Sequence, residues 1–122
     1  MSRAFDPFLY LVTDRDLAGA RGVAEVVRLA LDGGVTLVQL REKTLAHEPF
    51  VEEACVLRDI CHARGAPLIV NDNIAVARQA NADGVHLGQS DASVEEARET
   101  LGPDAIIGLS VESVEQARAA AR

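Results

Sequence analysis

The chain has 122 residues, 48% of them hydrophobic, with a formal net charge of −7, which is enough for one ordinary domain with a true core. Its sequence pI of 4.8 argues against a nucleic-acid backbone or an anionic membrane as a partner, because both would repel it at long range. Aromatic residues make up only 3% and Trp is absent, so the core must be built from Val, Leu, Ile and Ala, as in buried parallel sheets.

No apolar run approaches the roughly 20 residues that span a bilayer. Residues 1–8 have neither a long apolar centre nor a small-residue cleavage pattern, so a cytoplasmic location is expected. The first strand is the apolar run 8–13, ending at Asp14 and a Gly-containing loop. Val23, Val26, Val27, Ala30 and Leu31 recur at helical spacing, and Gly33-Gly34 stops that helix where a left-handed cap is needed. Residues 36–43 form the second strand.

Pro49 suits the first turn of the next helix, Phe50, Ala54, Leu57 and Cys61 mark its apolar face, and Gly65 closes it. Cys55 and Cys61 fall on different faces of this helix, out of disulfide reach, and read as reduced small hydrophobes. A zinc pair lacks the Cys-x-x-Cys spacing. Residues 67–70 begin the third strand, which ends in Asn71-Asp72, and a short helix over 73–81 leads through Asp83-Gly84 into the fourth strand, 85–88. Ser93 to Glu96 and Ser113 to Gln116 are capping boxes that open the last two helices, with the fifth strand at 105–110 between them.

Five strands, each followed by a helix across short loops, form a parallel sheet with right-handed crossovers. Two α/β architectures fit, an open doubly wound sheet and a (β/α)8 TIM barrel. Residues 14–19 lack the glycine pattern of a dinucleotide site and the Lys of a P-loop, which weighs against a complete flavodoxin-like domain. The chain reaches Arg122 in mid-helix without a C-cap glycine, and a closed barrel takes about 250 residues. The expectation is a single domain over residues 1–122, a C-terminally truncated barrel whose exposed sheet edges promote self-association.

In parallel α/β proteins, ligands lie at the carboxyl ends of the strands. Alternation puts Gln39, Arg41 and Lys43 on one face, about 7 Å apart, a row suited to an elongated polyanion. The competing reading is a solvated strand end with Glu42 pairing one of those cations. Asn71-Asp72 tips the balance, because an amide–carboxylate pair at the end of an apolar strand has no packing purpose. Asp91, just past the fourth strand, can converge with Asp72, and two hard oxygen ligands beside a basic row suit Mg²⁺ on a diphosphate. Asp91 could instead support the helix that follows, so Asp72 is the stronger metal candidate. Ser110 can donate to a ligand or cap a loop. His86 reads as a hydrogen-bonded core histidine, and His47 and His62 as helix-surface residues.

Leu11-Val12-Thr13-Asp14, Val38-Gln39-Leu40-Arg41-Glu42-Lys43, Val70-Asn71-Asp72, Ala82-Asp83-Gly84-Val85-His86-Leu87-Gly88-Gln89-x-Asp91 and Ile107-Gly108-Leu109-Ser110 together resemble the thiamine-phosphate synthase family of (β/α)8 barrels. The resemblance implies that a pyrimidinylmethyl diphosphate loses pyrophosphate and its carbon is captured by a thiazole phosphate. It implies a pyrimidine-diphosphate site at Gln39, Leu40, Arg41, Glu42 and Lys43, with Arg41 and Lys43 catalytic, Asn71 and Ser110 contacting the same substrate, and Asp72 and Asp91 holding Mg²⁺. Strands six to eight, which carry the thiazole-phosphate site in that family, are not in this chain. The alternatives are a thiazole tautomerase of the same barrel family, whose members typically lack the lysine and the metal aspartates, and a catalytically silent half-barrel.

Overall fold

The computed structural model describes residues 5–121. Residues 1–4 and Arg122, which bear on the leader and chain-end readings, lie outside the described residues. In chain order the elements are β1 (Tyr10–Val12), α1 (Arg15–Ala18), a 3-10 turn (Gly19–Arg21), α2 (Val23–Asp32), β2 (Leu37–Leu40), α3 (His47–His62), β3 (Leu68–Asn71), α4 (Ile74–Gln79), β4 (Gly84–Leu87), α5 (Val94–Leu101), β5 (Ile106–Leu109) and α6 (Val114–Ala120). The five strands are parallel and lie in the order β1-β2-β3-β4-β5.

That order rules out a doubly wound sheet, which must reverse direction to cover both faces. Successive right-handed crossovers that never reverse put every helix on the same side. The two-residue period of the strands then sorts the side chains. Val38, Leu40, Leu68, Val70, Val85 and Leu87 turn towards the helices, and all are fully buried with Val27, Ala54, Leu57, Cys61, Val76 and Ala97. Leu37, Ile69 and Ile106 point the other way and form a separate small apolar layer on the helix-free face.

Local chemistry sets most of the boundaries. The hydroxyls of Ser93 and Ser113 accept from the backbone N–H of Glu96 and Gln116, capping α5 and α6. Gln116 does not complete its box, and its amide oxygen accepts from Glu112 N instead. Gly34, at φ 112°, takes the left-handed turn after α2. The strands are shorter than their apolar runs, and the loop after β1 contains a helix that periodicity does not predict. Asp14 caps that helix by accepting from Leu17 N at 3.0 Å; four residues are too few to display a helical period.

At the amino end of the sheet, buried Asp83 accepts from Leu68 N and meets His62 Nε2, each at 2.7 Å. His62 is therefore the partner of a buried carboxylate, which its surface reading did not anticipate. His47 reaches Gln79 on α4. Both cysteines are free, and burial pushes the Cys61 thiol up to about 12, leaving it neutral as a small core residue.

Gly84 is a packing requirement more than a turn. A Cβ there would lie 1.8 Å from the carbonyl oxygen of Ile106 on β5, so β4 and β5 can approach only over a bare α-carbon. Gly84→Ala is expected to cost about 3 kcal/mol, the upper end of overpacking penalties, read as a lower urea midpoint at unchanged slope. An unchanged midpoint would show that the strands can separate at no cost.

Candidate active site

On the helix-free face, the carboxyl ends of the strands surround an open depression. Its lining includes Gln39, Arg41, Lys43, Asn71, Asp72, Asp91 and Ser110. These are the candidate site residues that the sequence singles out, apart from Leu40 and Glu42. Tyr10, Val12, His86 and Gly88 complete the lining.

Three strands are stitched together at its floor. Asn71 Nδ2 donates to Gln39 Oε1 at 2.9 Å, and Gln39 Nε2 donates to the Tyr10 hydroxyl at 2.8 Å. Gln39 is 5% exposed, so this amide needs both partners. Burial raises the Tyr10 pKa, partly offset by the bond from Gln39, so the phenol keeps its proton and can still donate it.

The second group is His86, Ser110 and Gln89. His86 Nε2 lies 2.7 Å from Ser110 Oγ, and Gln89 Nε2 donates to the Ser110 carbonyl at 2.8 Å. Burial lowers the His86 pKa, with the charge of Asp91 opposing it. A Cβ on Gly108 would fall 2.4 Å from His86 Nδ1, so the glycine makes room for the ring. The histidine thus belongs to the mouth of the depression and not to the core. Alternation carried the signal: Gly84, His86 and Gly88 share a face with Gln39 and Asn71.

The charged rim is built where the ladders end. Asp72 has φ 51°, an uncommon conformation that Asp tolerates better than most residues, and its N–H donates to His86 O at 2.8 Å. Lys43 Nζ stands 3.6 Å from Asp72 Oδ2. Asp91 Oδ2 accepts from Gly88 N at 2.7 Å, tying the carboxylate to its own loop. Among the described residues no three His, Cys, Asp or Glu side chains cluster as a metal cage. Two aspartates on one rim form a hard-oxygen donor set that leaves most of a cation's coordination to other oxygens.

Two residues of the 39–43 segment depart from the expected row. Leu40 is fully buried on the helix side, because its parity is opposite to that of Gln39, and it does not line the depression. Glu42 also turns away, to Arg15 on α1 and not to Arg41 or Lys43. Thr13 was not anticipated either; its buried hydroxyl accepts from Arg41 N at 3.0 Å.

A family model described as thiamine monophosphate synthase matches residues 9–122. The chain belongs to that family. It is 52% identical over 116 residues to the thiamine-phosphate synthase of Azorhizobium caulinodans, covering 95% of this chain and 55% of that protein. It is 45% identical over 117 residues to a chloroplastic thiamine biosynthetic bifunctional enzyme of Arabidopsis thaliana, covering 94% of this chain and 22% of that one. The solved thiamine phosphate pyrophosphorylase of Pyrococcus furiosus superposes with a TM-score of 0.84 at 40% identity, over 93% of this chain and 54% of its own. The chain thus spans about half the length of the synthases it matches, and its fold is that of the (β/α)8 barrel class. Among the described residues no helix is long and apolar enough to cross a membrane.

Behind the rim, Glu53 on α3 shares Arg15 with Glu42. Burial and the neighbouring Glu42 raise the Glu53 pKa to about 7, while hydrogen bonds from Glu53 and Arg15 pull Glu42 below its usual value against desolvation. Between the ordinary carboxyl range and about pH 7 Glu53 therefore holds a proton in the folded chain that it has lost in the unfolded one, so its contribution to stability falls as pH rises through that window, against a smaller opposite contribution from the depressed His86. Urea unfolding from pH 5 to 8 should show the decline, and Glu53→Gln should flatten it. A decline that persists in the variant would assign the proton to another group.

Proposed function

We propose that this chain is the diphosphate half of a thiamine-phosphate synthase. Residues 1–122 would form one partial-barrel domain, and the complete barrel would join a pyrimidinylmethyl diphosphate to a thiazole phosphate, giving thiamine phosphate and pyrophosphate. The observation that carries this reading is the rim, on which Arg41 and Lys43 share one depression with Asp72 and Asp91.

In the reaction, the bond between the pyrimidine methylene carbon and the diphosphate oxygen breaks and its electron pair leaves with pyrophosphate. A new carbon–nitrogen bond forms from the lone pair of the thiazole nitrogen. Negative charge grows on the leaving oxygens, so fixed cations there lower the barrier. Arg41 offers a planar fork for two oxygens, and Lys43 a mobile point charge. Asp72 and Asp91 are the residues to hold Mg²⁺, which when bound supplies further charge neutralisation to the diphosphate.

Asn71 and Ser110 would orient the pyrimidine. Gln39 is already bonded on both sides, so it offers the ring one remaining N–H and one lone pair. No general base is needed, because the nucleophile is a ring nitrogen with a free pair. That suits a site whose one histidine is shifted towards neutrality.

The test is Mg²⁺-dependent release of pyrophosphate by the chain extended with three further β-α units. Lys43→Ala should lower kcat/KM at least tenfold, about 1.4 kcal/mol of transition-state stabilisation. Asp72→Ala should cost far more than Asp91→Ala, whose carboxylate is partly committed to Gly88. Equal losses would reverse the ranking of the two carboxylates. Thiazole isomerisation without metal and without pyrophosphate release would make the chain part of a tautomerase instead.

A further inference from the structure

The row that carries Arg41 and Lys43 lies beyond the end of β2, and residues 42–45 receive no backbone–backbone hydrogen bond from the sheet among the described residues. Glu42 sits between the two cations in sequence. An unpaired carboxylate there would compete with a diphosphate for both cations, beside Asp72, which already stands 3.6 Å from Lys43.

Glu42 is instead drawn to the back of the segment. Arg15 Nε donates to both Glu42 oxygens at 3.2 Å, and its Nη2 donates to Oε2 at 2.8 Å. The same Nη2 also donates to Glu53 Oε2 on α3. The Glu42 side chain is 3% exposed and that of Glu53 17% exposed, whereas Arg15 is half exposed. Charge-assisted, forked bonds of this kind are the strong ones.

We propose that Arg15, backed by Glu53, is a positioning residue that sequesters Glu42 and thereby keeps it from competing with the diphosphate for Arg41 and Lys43. The idea rests on the diphosphate reading of the rim. Removing Arg15 leaves the Glu42 carboxylate without the cation that covers it, and the cations on either side of it in the chain are the partners to which a rotation of residue 42 would deliver it. Glu53 fixes the guanidinium from α3, so that Arg15 does not swing out to solvent with Glu42. Below about pH 7, where Glu53 holds its proton, one guanidinium faces one carboxylate and one carboxylic acid, and the cluster is electrically balanced.

The test is calorimetric titration of the chain with inorganic pyrophosphate in the presence of Mg²⁺, at a temperature where each variant is folded by circular dichroism. Arg15→Ala should weaken binding about tenfold, the order of one competing charge-assisted contact. Adding Glu42→Gln to Arg15→Ala should restore most of the lost affinity, because the competitor is gone. A merely structural role for Arg15 predicts the opposite, a double variant as weak as Arg15→Ala or weaker, and that result overturns the proposal, as does undiminished binding by Arg15→Ala. Lys43→Ala serves as the independent arm. If it binds pyrophosphate as well as the unmodified chain does, the diphosphate reading itself fails. If it binds weakly while Arg15→Ala does not, only the sequestration of Glu42 fails. An unmodified chain that binds no pyrophosphate overturns both.

Discussion

All four crossovers step the same way across the sheet, and the rest of the molecule follows from that. Helices accumulate on one face, so strand residues of one parity are sealed in an aliphatic core and those of the other parity are left to line a concave surface. Val38 and Leu40 have no freedom to do anything but pack, whereas Leu37 and Gln39 face a layer that helices never cover. The lower part of that surface closes over apolar contacts. The upper part, where the ladders run out, is polar because nothing apolar is there to meet it.

Where regular structure ends, side chains take over the work of the sheet. Gln39 links β1, β2 and β3 through Tyr10 and Asn71, and His86 does the same for β4 and the end of β5 through Ser110. The Thr13 hydroxyl and the Arg15–Glu42 pair hold the segment that follows β2. Such a network brings polar groups to the rim already ordered, so a ligand meets donors whose rotamers have been paid for in folding. It also constrains the neighbours. Gly84 and Gly108 are glycines because a backbone and an imidazole, respectively, occupy the space a side chain would need.

Much of this was legible in the sequence. Strand–helix alternation, the two capping serines and the grouping of Gln39, Arg41 and Lys43 with Asn71, Asp72, Asp91 and Ser110 around one depression follow from periodicity and from the rule that ligands sit at strand ends. Tyr10 and His86 were legible in principle, since their parity places them on the open face. They were missed because an isolated Tyr or His within an apolar run is equally at home in a core. Glu42 was assigned with its neighbours on the strength of a contiguous motif, although a strand sends adjacent residues to opposite faces.

By itself, then, the sequence determined the alternation of elements, the aliphatic character of the core and which polar residues cluster at the carboxyl ends, because these depend on local spacing and on composition. Only the tertiary structure decided the sequential strand order that excludes a doubly wound sheet, the union of His62 with Asp83 across 21 positions, and the capture of Glu42 by Arg15 across 27. These depend on which segments meet in space. Nothing in the chemistry of a glutamate between an arginine and a lysine indicates that its partner will come from another loop; the pairing exists because the end of β1 and the end of β2 lie side by side.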